Sequence, residues 1–350
     1  MTERRYDPTR GEWVTFATHR QNRTFLPPAD QCPLCPTAPG GPPTEIPGSY
    51  ELVAFDNRFP SFTADPPEPS VPGDALTPVA PAVGRAEVVV FTSDHDATLT
   101  ALPVARLRAL VDVWADRTNA LGRRPEIGYV FPFENKGEEI GVTLNHPHGQ
   151  IYGYPDIPPI PAQEIDAARR YRAEHGSCVW CDLVVREETS ERLVVSGSSF
   201  AAYVPFWARF PYQVHITARR HAPALPSLTG PERDDLARVL KQVLVAYDGL
   251  FGFPMPYVMA VHQEPTAAGH GELTHLHLEL SPPYRTATRR KFLAGSELAA
   301  GAYVTDLAPE HTATTLRDAL SPDAGACREF GHPLRCGSTH GSVHRADLAG

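Results

Sequence analysis

Residues 145–150 read Asn-His-Pro-His-Gly-Gln and residues 274–279 read Thr-His-Leu-His-Leu-Glu, so a His-x-His pair occurs twice, 129 residues apart. The residues around the first pair, Gly128-Tyr-Val-Phe before and Ile151-Tyr-Gly-Tyr after, read as strand. In a strand, residues i, i+2 and i+4 share a face, which sets His146, His148 and Gln150 side by side. Pro147 has no N–H to give to a sheet ladder, so the stretch belongs on an edge or where pairing stops, with room for a ligand. A free imidazole placed there can attack phosphorus.

Working outward, the first half of the chain carries Cys32-x-x-Cys35, a strand over Ala86–Phe91 followed by His95, a helix, and then His146-x-His148. The second half repeats that order with Cys178-x-x-Cys181, a strand ending in His215-Ile-Thr-Ala-Arg-Arg before His221, a helix, and His275-Leu-His277. His95 and His146 are 51 residues apart, His221 and His275 are 54 apart, and independent coincidences do not keep such a register.

The intervening helices match as well. Leu107, Leu110, Val111, Trp114 and Leu121 follow a helical period, as do Leu236, Val239, Leu240, Val243, Leu244 and Tyr247. Thr229-Gly-Pro-Glu232 has capping-box spacing with Pro231 in the first turn. A strand follows each helix, at Gly128–Phe133 and Pro256–Val261. The expected fold is therefore α+β: a duplicated repeat whose largely antiparallel sheet is covered by helices. The N-terminal repeat spans residues 1–172, the C-terminal repeat 173–320, and residues 321–350 form a tail.

The repeated Cys and His residues predict metal. Two thiolates from a short turn and two imidazoles from distant strands make a tetrahedral Cys₂His₂ zinc site, closed to substrate and structural in role. The first set is Cys32, Cys35, His95 and His146; the second is Cys178, Cys181, His221 and His275. A lone histidine is more often a hydrogen-bonded side chain than a ligand, and it is the duplication that reverses this. If a metal holds His146, the backbone that aims His148 is fixed too, and a nucleophile requires that preorganisation. His277 occupies the corresponding position in the second half, where Leu-Glu follows in place of Gly-Gln, so one active centre per chain is expected.

Composition sets outer bounds. The 350 residues carry a formal net charge of −9, with 42% hydrophobic and 21% charged residues, typical of a globular protein. The acidic balance argues against nucleic acid or an anionic membrane as partner. No apolar stretch reaches transmembrane length and the first residues lack a secretory run, which points to the cytoplasm. Six cysteines without a signal do not make a disulfide framework. Cys327 and Cys336 read as unpaired loop residues of the tail. Many of the 37 prolines cluster in Thr63–Val83, expected to be an extended surface loop.

Six blocks in one order carry a resemblance: Arg5-Tyr-Asp-Pro-Thr-Arg-Gly-Glu-Trp-Val14, Cys32-Pro-Leu-Cys35, Phe133-Glu-Asn-Lys-Gly137, His146-Pro-His-Gly-Gln150, Val204-Pro-Phe-Trp207 and Arg285-Thr-Ala-Thr-Arg-Arg-Lys-Phe292. With these, the chain from about Arg5 to Leu320 resembles the galactose-1-phosphate uridylyltransferases, members of the histidine triad superfamily built from two such repeats. The resemblance implies that His148 attacks the α-phosphorus of UDP-glucose and that galactose 1-phosphate then takes the uridylyl group from the histidine. Gln150 stands where a third histidine would serve a hydrolase; it can donate to a phosphoryl oxygen but cannot deliver a proton or activate water.

The resemblance also implies that Arg20, Arg23, Asn57, Asn135 and Thr143 bind the nucleotide. It further implies that Lys291 and Phe292 reach the sugar phosphate across a homodimer interface. The sequence departs from the family pattern at Leu144-Asn145, at Arg58 where an acidic residue is usual, and at Ser296 and Tyr303, where tyrosine and glutamine are frequent. Some members hold iron through a glutamate and three histidines, for which Glu164, His262, His275 and His277 could serve. The second Cys-x-x-Cys favours zinc instead. Rival readings are an ADP-sugar or dinucleotide phosphorylase using the same histidine, a histidine triad hydrolase, and a non-catalytic zinc scaffold.

Overall fold

Two amphipathic helices account for the core. In the computed structural model, which describes residues 2–320 apart from 39, 42 and 47, they span Val104–Gly122 and Gly230–Phe251. The tail, with Cys327 and Cys336, lies outside the described residues. The second helix starts at the expected cap, where the Thr229 N–H donates to the Glu232 carboxylate over 2.7 Å, and stops at Gly252, whose φ of +79° suits a residue without Cβ. The apolar stripes of both helices bury against one face of a sheet, meeting Val89, Val130, Ile151, Ile216 and Leu278 in one cluster. Each such aliphatic side chain taken from water stabilises the fold by about 1.5–3 kcal/mol.

The first half contributes β1 (Thr2–Asp7), β2 (Glu12–Ala17), β3 (Val53–Asp56), β4 (Val79–Pro81), β5 (Arg85–Val90), α1 (Val104–Gly122), β6 (Tyr129–Lys136), β7 (His148–Tyr154) and α2 (Pro159–His175). The second contributes α3 (Val179–Glu188), β8 (Leu193–Ser196), β9 (Phe200–Tyr203), β10 (Val214–Ala218), α4 (Gly230–Phe251), β11 (Tyr257–His262), β12 (His277–Ser281), β13 (Tyr284–Thr286), β14 (Arg289–Arg290), α5 (Gly295–Ala300) and α6 (Pro309–Leu320).

Nine strands form one sheet in the order β3-β5-β7-β6-β11-β12-β10-β9-β8. All its pairings are antiparallel. Read outward from the central β6/β11 pair, β7 and then β5 on one side match β12 and then β10 on the other. The sequence repeat is thus a repeat in space, and the α+β fold with an antiparallel sheet and helices on it is the one observed. No helix among the described residues is long and apolar enough to cross a membrane.

Two local expectations need correction. Thr63–Val83 is not loop throughout: Val79–Pro81 forms β4, antiparallel to β1 through Glu3↔Pro81 and Arg5↔Val79. The second Cys-x-x-Cys is not a free turn, because Cys178 is the N-cap residue of α3 and Cys181 lies in its first turn. Pro147, by contrast, stands where pairing stops. β7 is an interior strand and begins only at His148, while the Pro147 carbonyl still accepts from the Phe91 N–H at 3.1 Å.

Candidate active site and metal centres

β7 alternates between the two faces of the sheet. Ile151 enters the helix-covered core, and His148 and Gln150 project to the opposite face. Gly149 between them allows close packing, since a Cβ there would lie 2.9 Å from both the Phe133 carbonyl oxygen and the Phe91 ring. Leu278 holds the corresponding place in β12 and fills it with its own side chain.

His148 is half-buried, and its Nδ1–H donates to the His146 carbonyl over 2.8 Å. That bond fixes the tautomer and leaves the lone pair on Nε2. Burial holds this imidazole below the usual 6.5, against the opposing effect of the His146 carbonyl, so the nucleophile is neutral at pH 7. Gln150 accepts from the Asn57 amide at 3.4 Å on Oε1, which engages the acceptor end of its side chain.

One cavity brings together His148, Gln150, Arg20, Arg23, Asn57 and Thr143. Arg20 is anchored by the Phe59 carbonyl at 2.9 Å and the Ser61 hydroxyl at 3.0 Å; Asn57 Oδ1 accepts the Phe59 N–H at 2.8 Å. Asn135 does not line this cavity. It lies on β6 two residues beyond Phe133, which pairs with Gln150, and so faces the same side of the sheet. Lys291 and Phe292 stay away from the cavity of their own chain: Lys291 binds Glu297 at 2.9 Å, and Phe292 is 69% exposed. Glu45 and Arg58 line the cavity too. Glu45 escaped the sequence reading because it sits in a proline-rich loop without periodicity.

His146 is buried and turned away from the cavity. Its Nε2–H donates to the Thr92 carbonyl at 2.7 Å, and its Nδ1 lies 3.8 Å from Cys32 Sγ and 3.5 Å from Cys35 Sγ. His95 Nδ1 lies 3.5 Å from Cys35 Sγ. Metal bonds of about 2.0–2.3 Å set tetrahedral ligands roughly 3.5 Å apart, so these spacings suit one Zn²⁺-sized ion. Burial, reinforced by the Cys32 side chain, pushes Cys35 up to about 11, so a cation is needed to hold Cys35 as thiolate at neutral pH.

The second set repeats the design. His275 Nδ1 is 3.7 Å from Cys178 Sγ and 3.6 Å from Cys181 Sγ, and His221 Nδ1 is 3.8 Å from Cys181 Sγ. His275 and His221 donate through Nε2–H to the Ala218 and Gly271 carbonyls at 2.7 Å. The four histidines of the two sets stand in loops at the ends of strands, not within them.

A third group that could hold a metal joins Glu164, His262 and His277. The glutamate-and-three-histidine alternative is therefore divided, because His275 belongs with the cysteines. His262 Nδ1 meets Glu164 at 3.0 Å; burial pulls this imidazole down, but the carboxylate outweighs it and raises it to about 9. His277 repeats the His148 geometry, with Nδ1 donating to the His275 carbonyl at 2.8 Å. Its ring, however, is covered by Trp180, stacked with centroids 3.8 Å apart. Trp180 holds the place in Cys-x-x-Cys that Leu34 holds in the first half. It covers the His277 ring, and Glu279, which with Trp180 lines a neighbouring cavity, replaces the glutamine.

The N-terminal domain model of galactose-1-phosphate uridyl transferase matches residues 1–158, and the C-terminal domain model matches residues 164–326. Galactose-1-phosphate uridylyltransferase of Thermotoga maritima is 38% identical over 319 residues, covering 91% of this chain and 98% of the relative. The enzyme of that name from Rattus norvegicus is 36% identical over 340 residues, covering 92% and 88%. A solved uridylyltransferase structure superposes with a TM-score of 0.83 at 38% identity over 91% of this chain and 98% of its own. An ADP-glucose phosphorylase from Arabidopsis thaliana shares the fold, with a TM-score of 0.69 at 21% identity over 91% and 98% of the two chains.

Proposed function

The chain belongs to the galactose-1-phosphate uridylyltransferase family, and from that premise we propose that it carries a uridylyl group from UDP-glucose to galactose 1-phosphate on His148. The observation that carries this reading is the bond from His148 Nδ1–H to the His146 carbonyl, which presents a neutral Nε2 to a cavity lined with arginine. Nε2 attacks the α-phosphorus and the bond to the β-phosphate oxygen breaks. Glucose 1-phosphate departs, and a phosphate oxygen of galactose 1-phosphate then displaces the histidine to give UDP-galactose. The leaving group is a phosphate monoester with a second pKa of about 6, so it needs no strong acid to depart. Gln150, its Oε1 engaged by Asn57, donates to a non-bridging oxygen. Arg20 and Arg23 offset the diphosphate charge, with Thr143 and Asn135 completing the phosphate surroundings.

Zinc suits both Cys₂His₂ sets, and its contribution is structural: a closed tetrahedral site leaves no position for substrate. The first set fixes residue 146 and through it the carbonyl that orients His148. We assign the same metal to the second set. The reading includes a homodimer in which Lys291 and Phe292 of one subunit approach the cavity of the other. It also includes a cytoplasmic setting, where thiols stay reduced for metal binding.

The donor decides between this reading and an adenylyl-sugar phosphorylase. Transfer measured with galactose 1-phosphate as acceptor should proceed from UDP-glucose at least a hundredfold faster than from ADP-glucose, and the reverse preference would overturn the substrate assignment. Gly149 supports the uridylyl reading as the position where related phosphorylases often carry serine; here the Phe91 ring and the Phe133 carbonyl leave no room for a Cβ.

A further inference from the structure

We propose that Glu45, held by Arg58, is the ribose-recognition group of the nucleotide cavity, accepting the 2′- and 3′-hydroxyls on its carboxylate. The inference rests on the nucleotide occupying the His148 cavity and deepens that reading. Among the described residues lining the cavity, Glu45 is the one carboxylate. Arg20, Arg23 and Arg58 only donate, Asn57 Oδ1 already accepts the Phe59 N–H and Gln150 Oε1 the Asn57 amide, and Thr24 and Thr143 offer only neutral hydroxyls. A vicinal diol needs acceptors, and a carboxylate offers two oxygens for charge-assisted bonds.

An unpaired carboxylate beside a diphosphate would repel it. Arg58 Nη1, 2.9 Å from Glu45 Oε1, cancels that charge and orients the group. The Glu45 N–H donates to the Pro33 carbonyl at 3.0 Å, so the loop that carries the carboxylate is tied to the Cys32–Cys35 turn. The ribose subsite thus inherits its position from the first metal centre. An exposed ion pair that merely braced a surface loop would contribute only about 0–1 kcal/mol and would have no dependence on the sugar of the donor.

The test compares kcat/KM for UDP-glucose and 2′-deoxy-UDP-glucose in the wild type, Glu45→Gln and Glu45→Ala. The wild type should prefer the ribose donor by about tenfold or more, as expected for a hydroxyl bonded to a charged group. Both variants should lose about tenfold on UDP-glucose, chiefly in KM, and bring the preference within threefold. Arg58→Met should weaken the preference in the same direction. Equal losses on both donors, with the preference retained, would show a bracing role only and overturn the proposal. If ADP-glucose proves to be the donor, the uridylyl assignment fails separately, and the same ribose comparison is made with 2′-deoxy-ADP-glucose.

Discussion

His148→Gly should abolish uridylyl transfer, lowering kcat by at least about 10⁴-fold, or roughly 5 kcal/mol at 1.36 kcal/mol per tenfold. The size follows from the geometry. Among the described residues of the cavity, His148 alone combines a fixed tautomer with a lone pair directed at the phosphate position, and Gln150 has no basic nitrogen to replace it. Folding should survive, because the ring is half-buried and its one hydrogen bond goes to a neighbouring carbonyl. The variant should keep its melting temperature within a few degrees and its full metal content. Imidazole added in solution should restore part of the phosphoryl exchange by occupying the space left by the ring. Residual transfer above 1% without imidazole would show that another group carries the nucleotide.

Cys35→Ala and Cys181→Ala should separate the two metal centres by their consequences. Each variant should lose one of two zinc ions per chain by elemental analysis. Cys35→Ala should also lose most of its activity, about a hundredfold, because without a metal the His146 imidazole is held only loosely beside Cys32 and the carbonyl that orients His148 moves. Cys181→Ala should destabilise the second half, with a melting temperature lowered by several degrees, yet retain more of its turnover, since the ring it helps to place, His277, lies under Trp180. Structural zinc contributes about 10–16 kcal/mol in small zinc-finger peptides; the extensive core here should keep both variants folded. Undiminished uridylylation in Cys35→Ala with one zinc lost would sever the proposed link between metal and nucleophile.

The large-scale organisation was legible because duplication leaves a mark in sequence. Two Cys-x-x-Cys pairs, two outlying histidines and two His-x-His pairs in one order predicted two Cys₂His₂ clusters that could hold a metal, and the helical stripes of α1 and α4 predicted which residues would pack on the sheet. What stayed hidden depends on long-range pairing. β4 has three residues, and a proline-rich stretch gives no alternation to reveal it; its conformation comes from β1, 74 residues or more upstream. The helical setting of Cys181 was masked by likeness to the Cys32–Cys35 turn, although Val179-Trp-Cys-Asp-Leu-Val-Val carries helical spacing. The loss of the glutamine was visible in Glu279, whereas the covering of His277 by Trp180 required the ring stack itself. Glu45 offered no local signal at all, because only the fold places residue 45 opposite Arg58.

The chemistry turns on a covalent nucleotide carried by one histidine. Intact mass of the protein after incubation with UDP-glucose alone, followed by peptide mapping, tests it most directly. A gain of one uridylyl group per chain is expected, located on His148 and removed by galactose 1-phosphate. An unchanged mass under turnover conditions, or a uridylyl group found on any other residue, would contradict it.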